Sequence, residues 1–293
     1  MSRLRGGQQK PAMTVSQALQ SQKTALTFSQ ALQSQKIPRQ DAEWLLQHIT
    51  GQTRADFLLY PHRELTATQE AAFCEGLARL QQNEPLQYIL GAWEFMGLPI
   101  LCGPEALVPR GDTELLAQLA TDFLHENFHG GDALDLCTGT GCVAIALAHA
   151  LPHATVHAVD ISPGALALAQ KNAALNSVAV TFHEGDLFAP LGAATFDCIT
   201  ANPPYIPSGE MASLPANVQQ EPALALDGGP GGLDFYHRLA AHLPLYLRPG
   251  GAAFLEIGAP QAADVVDILR PYFPHPVVHQ DLNGRDRVVA IKK

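Results

Sequence analysis

Asn202-Pro203-Pro204-Tyr205 follows the apolar run Phe196 to Ala201, so a short strand ends in a side-chain amide, a rigid turn and an aromatic ring. Those residue types suit one chemistry, the presentation of an amide nitrogen or an exocyclic amine to an electrophile. Such a nitrogen is planar and a poor nucleophile because its lone pair is delocalised, so a catalyst must orient and polarise it. The side-chain carbonyl of Asn202 can accept one N–H of a target NH2, and a main-chain carbonyl of the turn, that of Pro203, can accept the other. The two prolines fix their own φ and push the preceding residues into extended geometry, which holds that carbonyl in place before an acceptor arrives. Tyr205 then offers a flat face to the planar group. By itself the tetrapeptide has a plainer reading, a proline-rich turn after a buried strand. The residues upstream weigh against it.

Asp135-Leu136-Cys137-Thr138-Gly139-Thr140-Gly141 is a short apolar strand running into a glycine turn, and Val143, Leu147 and Ala150 continue it at helical spacing. Gly139 and Gly141 allow backbone N–H groups and a helix N-terminus to approach a ligand closely; the third glycine of a dinucleotide pattern would fall at Ala144. A second strand, Thr155 to Val159, ends in Asp160, whose carboxylate suits the two hydroxyls of a ribose. Ser162-Pro163 then opens a helix with cap and first-turn chemistry. A third strand, Val178 to Phe182, leads to Glu184-Gly185-Asp186-Leu187, where a carboxylate and an apolar side chain could hold adenine by its amine and its face. Either acid alone reads as a solvated loop residue. Their succession at consecutive strand ends points to an adenosine-containing ligand.

Strand and helix alternate from the helix of Leu116, Leu119, Ala120 and Phe123 through the strand Gly251 to Ile257, which predicts an α/β fold with a doubly wound, mostly parallel sheet. Val277 to Gln280 and Arg287 to Ile291, around Asn283-Gly284, predict a closing hairpin, and Trp93 to Leu101 a shorter one. Ahead of these, Ala42, Leu45, Leu46 and Ile49 form an apolar stripe ended by Gly51, and Phe73, Leu77 and Leu80 form another before Pro85, so a small helical domain precedes the sheet. The connection from Ile206 to Gly232 is too long for an inert loop and reads as a segment covering the substrate.

At 293 residues the chain is long enough for one substantial α/β domain and a smaller one. A formal charge of −10 without a cluster of lysine and arginine speaks against direct binding of duplex nucleic acid. The five cysteines, Cys74, Cys102, Cys137, Cys142 and Cys198, are odd in number and lack metal-ligand spacing, which fits reduced thiols. His149, His153 and His157 recur every fourth residue, but Pro152 interrupts any helix between them, so no metal site is expected. No apolar run suits a secretory signal or a membrane span, and a cytoplasmic enzyme is the expectation.

These motifs together resemble the class I S-adenosylmethionine-dependent methyltransferases, and within them the glutamine-amide methyltransferases that modify class 1 peptide-chain release factors. The resemblance spans roughly residue 37 to the C-terminus. Two further blocks carry it: Glu84-Pro85-Leu86-Gln87-Tyr88-Ile89-Leu90-Gly91 with Glu94-Phe95 and Gly97-Leu98, similar to a hinge segment, and Val108-Pro109-Arg110-Gly111-Asp112-Thr113-Glu114, similar to a block that closes the site. The sequence departs from the family in having Gly111 where proline usually follows the arginine, and Cys137 where the methionine-binding loop commonly has glycine. The resemblance implies S-adenosylmethionine as cofactor, S-adenosylhomocysteine as product, and a release factor as protein substrate. It implies cofactor contacts from Cys137, Thr138, Gly139, Thr140, Gly141, Asp160, Asp186, Leu187 and Asn202. Asn202, Pro203, Pro204 and Tyr205 become the substrate clamp, with Asn202, Pro203 and Tyr205 catalytic. The division it implies is a tail over 1–25, a helical substrate-recognition domain over 26–84, a hinge and hairpin over 85–112 and a cofactor-binding catalytic domain over 113–293. A glutamine methyltransferase of a large-subunit ribosomal protein shares the clamp; Thr113-Glu114 and the hinge block favour the release factor. An enzyme acting on the exocyclic amine of adenine would need to flip its base and grip phosphates, against the acidic balance.

Two features lie near the N-terminus. Ser16 to Lys23 repeats unchanged as Ser29 to Lys36, and Thr14 recurs as Thr27; only the second copy leads into the family-like region, so the first reads as a dispensable duplication. Arg5-Gly6-Gly7-Gln8 carries the Gly-Gly-Gln tripeptide that the family's substrates present, without the flanking residues of a release-factor loop. A short tail of glycine and glutamine needs no function.

Overall fold

The computed structural model describes residues 25–33 and 37–293. The first copy of the repeat and the Gly6–Gln8 tripeptide lie outside the described residues, as does the end of the second copy beyond Gln33. The chain forms two compact units, the first reaching Gln82 and the second running from Asn83 to Lys293.

The first unit is helical: α1 (Phe28–Leu32), α2 (Arg39–Thr50), α3 (Arg54–Leu59) and α4 (Ala67–Gln81). Thr27, Thr53 and Thr66 cap α1, α3 and α4, each in a reciprocal box with the residue three positions on, Gln30, Asp56 and Gln69. Gly51 ends α2 at φ 66°, as its place after the apolar stripe predicts. Ala42, Leu45 and Leu46 are buried with Phe73, and Gly76 lets α2 and α4 approach, since a Cβ there would lie 2.7 Å from both Leu45 methyls.

The second unit begins with α5 (Leu86–Leu90) and the hairpin β1 (Ala92–Phe95) and β2 (Leu98–Leu101). A 3-10 turn, Gly111–Thr113, leads into α6 (Glu114–Phe128). There follow β3 (Asp132–Leu136), α7 (Cys142–Ala150), β4 (Thr155–Asp160), α8 (Pro163–Leu175), β5 (Thr181–Glu184), β6 (Phe196–Ala201), α9 (Asp234–Tyr246), β7 (Leu247–Glu256), α10 (Ala262–Leu269), β8 (Val277–Gln280) and β9 (Asp286–Lys292). Seven strands form one sheet in the order β5-β4-β3-β6-β7-β9-β8, with β9 antiparallel to both neighbours.

Alternate residues of the central strands feed two cores. Ala133 and Cys198 pack with α6 and α7 on one face, while Leu134, Leu136, Ile199 and Ala201 pack with α9 and α10 on the other. The predicted doubly wound sheet is therefore present, and its order reverses between β3 and β6. A ligand crevice opens at that switch point, beyond the strands' C-terminal ends.

Two strands differ from the sequence expectation. β5 starts at Thr181 rather than Val178, because Ser177 turns the chain at φ 56° after α8 and the register fixes Thr181 opposite His157. β7 starts at Leu247 rather than Gly251; Leu247 pairs with Phe196 ahead of an irregularity that resolves at Cys198 and Ala252.

Asn172 of α8 is buried and spans three elements: its amide donates to Thr140 O at 2.9 Å and Leu101 O at 3.2 Å, and its carbonyl accepts Leu101 N at 2.7 Å. It thus joins the hairpin to the glycine turn. Asn172→Ala should cost about 3 kcal/mol of unfolding free energy, since it removes these three bonds and leaves the half-buried Leu101 N–H without its acceptor. Chemical denaturation of the purified variant measures this; a loss below 1 kcal/mol would contradict the assigned load.

Candidate active site

One cavity of the second unit is lined by Glu105 to Arg110 and Thr113, by the loop after β3, by the ends of β4, β5 and β6, and by Pro222, Leu224, Ala225 and Phe235. Every strand end singled out from sequence contributes, through Cys137, Thr138, Gly139 and Thr140, Asp160, Asp186 and Leu187, and Asn202 and Pro204.

The glycine turn is held from below by Asp135, a residue of β3 that sequence reasoning did not assign to the site. It is 2 % exposed, and its two oxygens accept the hydroxyls of Thr138 at 2.6 Å and Thr200 at 2.7 Å. Burial pushes its carboxyl up to about 6 against those hydrogen bonds. Cys137, Gly139 and Gly141 all have positive φ, of 56°, 55° and 81°, which explains why glycine is common where this chain has Cys137. A Cβ on Gly139 would stand 3.9 Å from Ala106, in the space the turn leaves open. Gly141 is not among the lining residues; its Cβ would meet Ala169 at 3.0 Å, so it seats the turn on α8.

Asp160 fixes the turn from the next strand. One carboxylate oxygen accepts Gly139 N at 2.8 Å and the other Ser162 N at 2.9 Å, which leaves further lone pairs for a diol. Burial raises its pKa, opposed by those backbone bonds. Asp186 also faces the cavity, but its Oδ2 accepts Arg238 at 2.7 Å, so an amine would share it with a guanidinium. Leu187 is buried beside it, and Phe235 adds an aromatic wall that its place in a long loop-to-helix region did not reveal.

Around the clamp, Asn202 Nδ2 donates to Thr113 Oγ1 at 3.2 Å, so the amide carbonyl is the group left for an acceptor. Pro203 and Tyr205 stand behind the lining rather than in it, with the Tyr205 hydroxyl 3.5 Å from Glu256 Oε1. Glu256 is 1 % exposed and was also not foreseen. Gln261 donates to Tyr205 O at 2.9 Å and Gly232 O at 3.1 Å while accepting Gly258 N at 3.0 Å, pinning the turn to the glycine-rich loop. Arg110 pairs with the buried carboxylate of Glu221, whose other oxygen accepts Val108 N at 2.9 Å. That pair joins the 105–110 segment to the loop over 206–232.

An open glycine turn, a carboxylate with lone pairs to spare for a diol and apolar walls fit an adenosine carrying a sulfonium side chain. The Rossmann-like sheet with this strand order, and a cavity of this composition at its switch point, define a class I S-adenosylmethionine-dependent methyltransferase. Residues 26–91 match the PrmC N-terminal domain and residues 110–219 the methyltransferase small domain. The release factor glutamine methyltransferase of Geobacter sulfurreducens is 45% identical over 255 residues, 86% of this chain and 88% of that protein. That of Moorella thermoacetica is 42% identical over 85% of this chain and 89% of its own. The chain belongs to the release factor glutamine methyltransferase family. Among solved structures, the hMettl16 catalytic domain in complex with MAT2A 3'UTR hairpin 1 is similar in fold, with a TM-score of 0.55, 16% identity and coverage of 84% of this chain and 90% of that one. Among the described residues, no helix is long and apolar enough to cross a membrane, and no cluster of three or more His, Cys, Asp or Glu could hold a metal ion.

Asp160→Ala should raise the cofactor dissociation constant roughly 10- to 100-fold, by removing both the diol acceptor and the anchor of Gly139 N. Titration calorimetry reads it directly, and unchanged affinity would remove the ribose assignment.

Proposed function

We propose that the chain transfers a methyl group from S-adenosylmethionine to the side-chain amide nitrogen of the glutamine in the Gly-Gly-Gln motif of class 1 peptide-chain release factors. The observation that carries this reading is the Asn202 amide. Its nitrogen is committed to Thr113, so its oxygen is left to accept from a planar NH2 in the cavity that Asp160 shares.

Bound S-adenosylmethionine supplies an electrophilic methyl group on a sulfonium. Cys137, Thr138, Gly139, Thr140, Asp160, Asp186 and Leu187 would hold it, with Gly141 shaping the turn. Asn202 would hold the acceptor NH2 through its side-chain carbonyl, with the Pro203 carbonyl, just behind the cavity lining, as the second acceptor once substrate is seated, and the ring of Tyr205 backing that turn. When bound, the cofactor would supply the methyl group and leave as S-adenosylhomocysteine; the part of Asn202 and its turn would be to orient the receiving nitrogen, whose proton would pass to water. Each hydrogen bond to the NH2 contributes only about 1 kcal/mol to binding, but both strengthen as the nitrogen gains positive character, which is where the rate is obtained.

In this reading residues 26–84 recognise the protein substrate, 85–112 form a hinge and hairpin, and 113–293 carry the chemistry. In the same reading the enzyme acts in the cytoplasm, without direct contact to nucleic acid. The acidic charge of −10 favours a protein acceptor over DNA or RNA, whose phosphates a basic patch would have to neutralise. Incubating the protein with radiolabelled S-adenosylmethionine and, separately, a class 1 release factor, a large-subunit ribosomal protein and DNA tests the choice. Label should enter the release factor; label in either of the others instead would refute it.

A further inference from the structure

Glu256 ends β7 directly beside the clamp: Ala201 of β6 pairs with Leu255, so Asn202 and Glu256 are the next residues along neighbouring strands. Its carbonyl oxygen accepts the hydroxyl of buried Tyr236 at 2.8 Å, which fixes the backbone from α9. Its carboxylate lies against two hydroxyls, those of Thr113 and Tyr205, with the Tyr205 oxygen at 3.5 Å. The second carboxylate oxygen is buried without a hydrogen-bond partner.

Thr113 is the link to the acceptor site. It is 3 % exposed and its oxygen already accepts from Asn202 Nδ2 at 3.2 Å, so its own proton must go elsewhere. Glu256, whose side chain faces the Thr113 hydroxyl and keeps one buried oxygen without a partner, is the acceptor at hand, and when it takes that proton Thr113 presents only a lone pair to Asn202. An amide facing a lone pair turns its NH2 inward and its carbonyl toward the cavity. Glu256 also receives the Tyr205 hydroxyl, so one buried group governs both ends of the Asn202–Tyr205 turn.

We infer that Glu256 is a positioning residue for methyl transfer, setting the orientation of the Asn202 amide through Thr113 and the seating of Tyr205 through its hydroxyl. It does not face the cavity and touches neither cofactor nor acceptor in this arrangement.

The groups facing Glu256 come from four elements: Asp112 and Thr113 from the 3-10 turn, Tyr205 from the loop after β6, Tyr236 from α9 and Arg287 from β9. Burial pushes its carboxyl up to about 7 from an ordinary 4.5, opposed by the Thr113 hydroxyl and the Arg287 guanidinium. Protonation makes the group a donor as well, and Thr113 then loses its obligatory acceptor. Turnover should therefore rise as pH increases through about 7 in the wild type. Because the folded pKa lies above the unfolded one, ionisation costs stability as pH rises from 4.5 toward 7, so E256Q should be at least as stable as wild type at alkaline pH.

The inference rests on the release-factor reading for its assay. Purified wild type, E256Q, Thr113→Val and the double variant would be compared for kcat, KM and cofactor affinity, with a pH profile and a melting curve for each. Expected are a kcat roughly ten- to a hundredfold lower for E256Q with its acid limb near pH 7 gone, cofactor affinity within about twofold of wild type, and a double variant no slower than the slower single one. A kcat for E256Q within twofold of wild type across the profile would overturn the inference. So would losses that multiply in the double variant, or a parallel fall in cofactor affinity and melting temperature, which would mark a merely structural role. Wild-type protein inactive on the release factor would instead count against the function proposed above.

Discussion

Replacing Asn202 with alanine should lower turnover by roughly a hundred- to a thousandfold while leaving the cofactor dissociation constant within about threefold of wild type. The asymmetry follows from where the side chain spends its hydrogen bonds. Its nitrogen is bonded within the protein, to Thr113 Oγ1 at 3.2 Å, and its oxygen is available to the acceptor. The anchors of the proposed cofactor cradle come from other residues: Asp160 holds Gly139 N and Ser162 N, and Asp135 holds Thr138. Alanine therefore removes a contact that grows as the acceptor nitrogen becomes positive, without loosening the glycine turn. Steady-state kinetics with the protein substrate and calorimetry with the cofactor separate the two effects. Activity within tenfold of wild type would sink the clamp.

Gly232→Ala should be nearly as damaging by a different route. Gly232 has φ 71°, and a Cβ there would lie 2.3 Å from Tyr205 O and 2.7 Å from Gln261 Nε2. Neither neighbour can yield, because Gln261 is itself bonded to Tyr205 O, Gly232 O and Gly258 N. Gly228 is also tightly packed, since a Cβ there would lie 2.7 Å from Pro204 O, so the glycine-rich loop lies against the backbone of the Pro204–Tyr205 turn. An alanine at 232 must push the Pro204–Tyr205 turn aside, at a cost of about 2 kcal/mol or more in stability and more than tenfold in kcat. Gly231→Ala is the control, since its Cβ would meet nothing within 4 Å. Equal melting temperatures and rates for the two variants would show that the loop does not support the turn.

The sequence was most legible where a residue type has few uses. Asn202-Pro203-Pro204-Tyr205, the paired glycines of the turn and the acids at successive strand ends can be read directly, because strand ends in a parallel sheet converge on one crevice. Ser162-Pro163 marked the start of α8, and the structure has Ser162 Oγ accepting Ala165 N there. The supporting residues were harder to read because their roles depend on partners far along the chain. Asp135 is one of two acids in a short strand, and only the fold brings Thr200 to it. Glu256 ends the apolar run of β7, and a carboxylate in that setting is itself the clue, since burial must be compensated by donors such as Tyr205. Arg110 and Glu221 are 111 positions apart, so no local pattern could pair them. Gly111, where the family usually has proline, opens the 3-10 turn that delivers Thr113 to Asn202, so the departure does not displace the residue that matters there.

The most direct test of the central claim is the position of the transferred methyl group. A class 1 release factor incubated with this protein and S-adenosylmethionine, digested and fragmented in a mass spectrometer, should carry one added methyl on the side-chain amide of the Gly-Gly-Gln glutamine, and a parallel reaction with Asn202→Ala should leave that residue unmodified. A methyl group on any other residue, or an unmodified glutamine under conditions in which the protein binds the cofactor, would contradict the account.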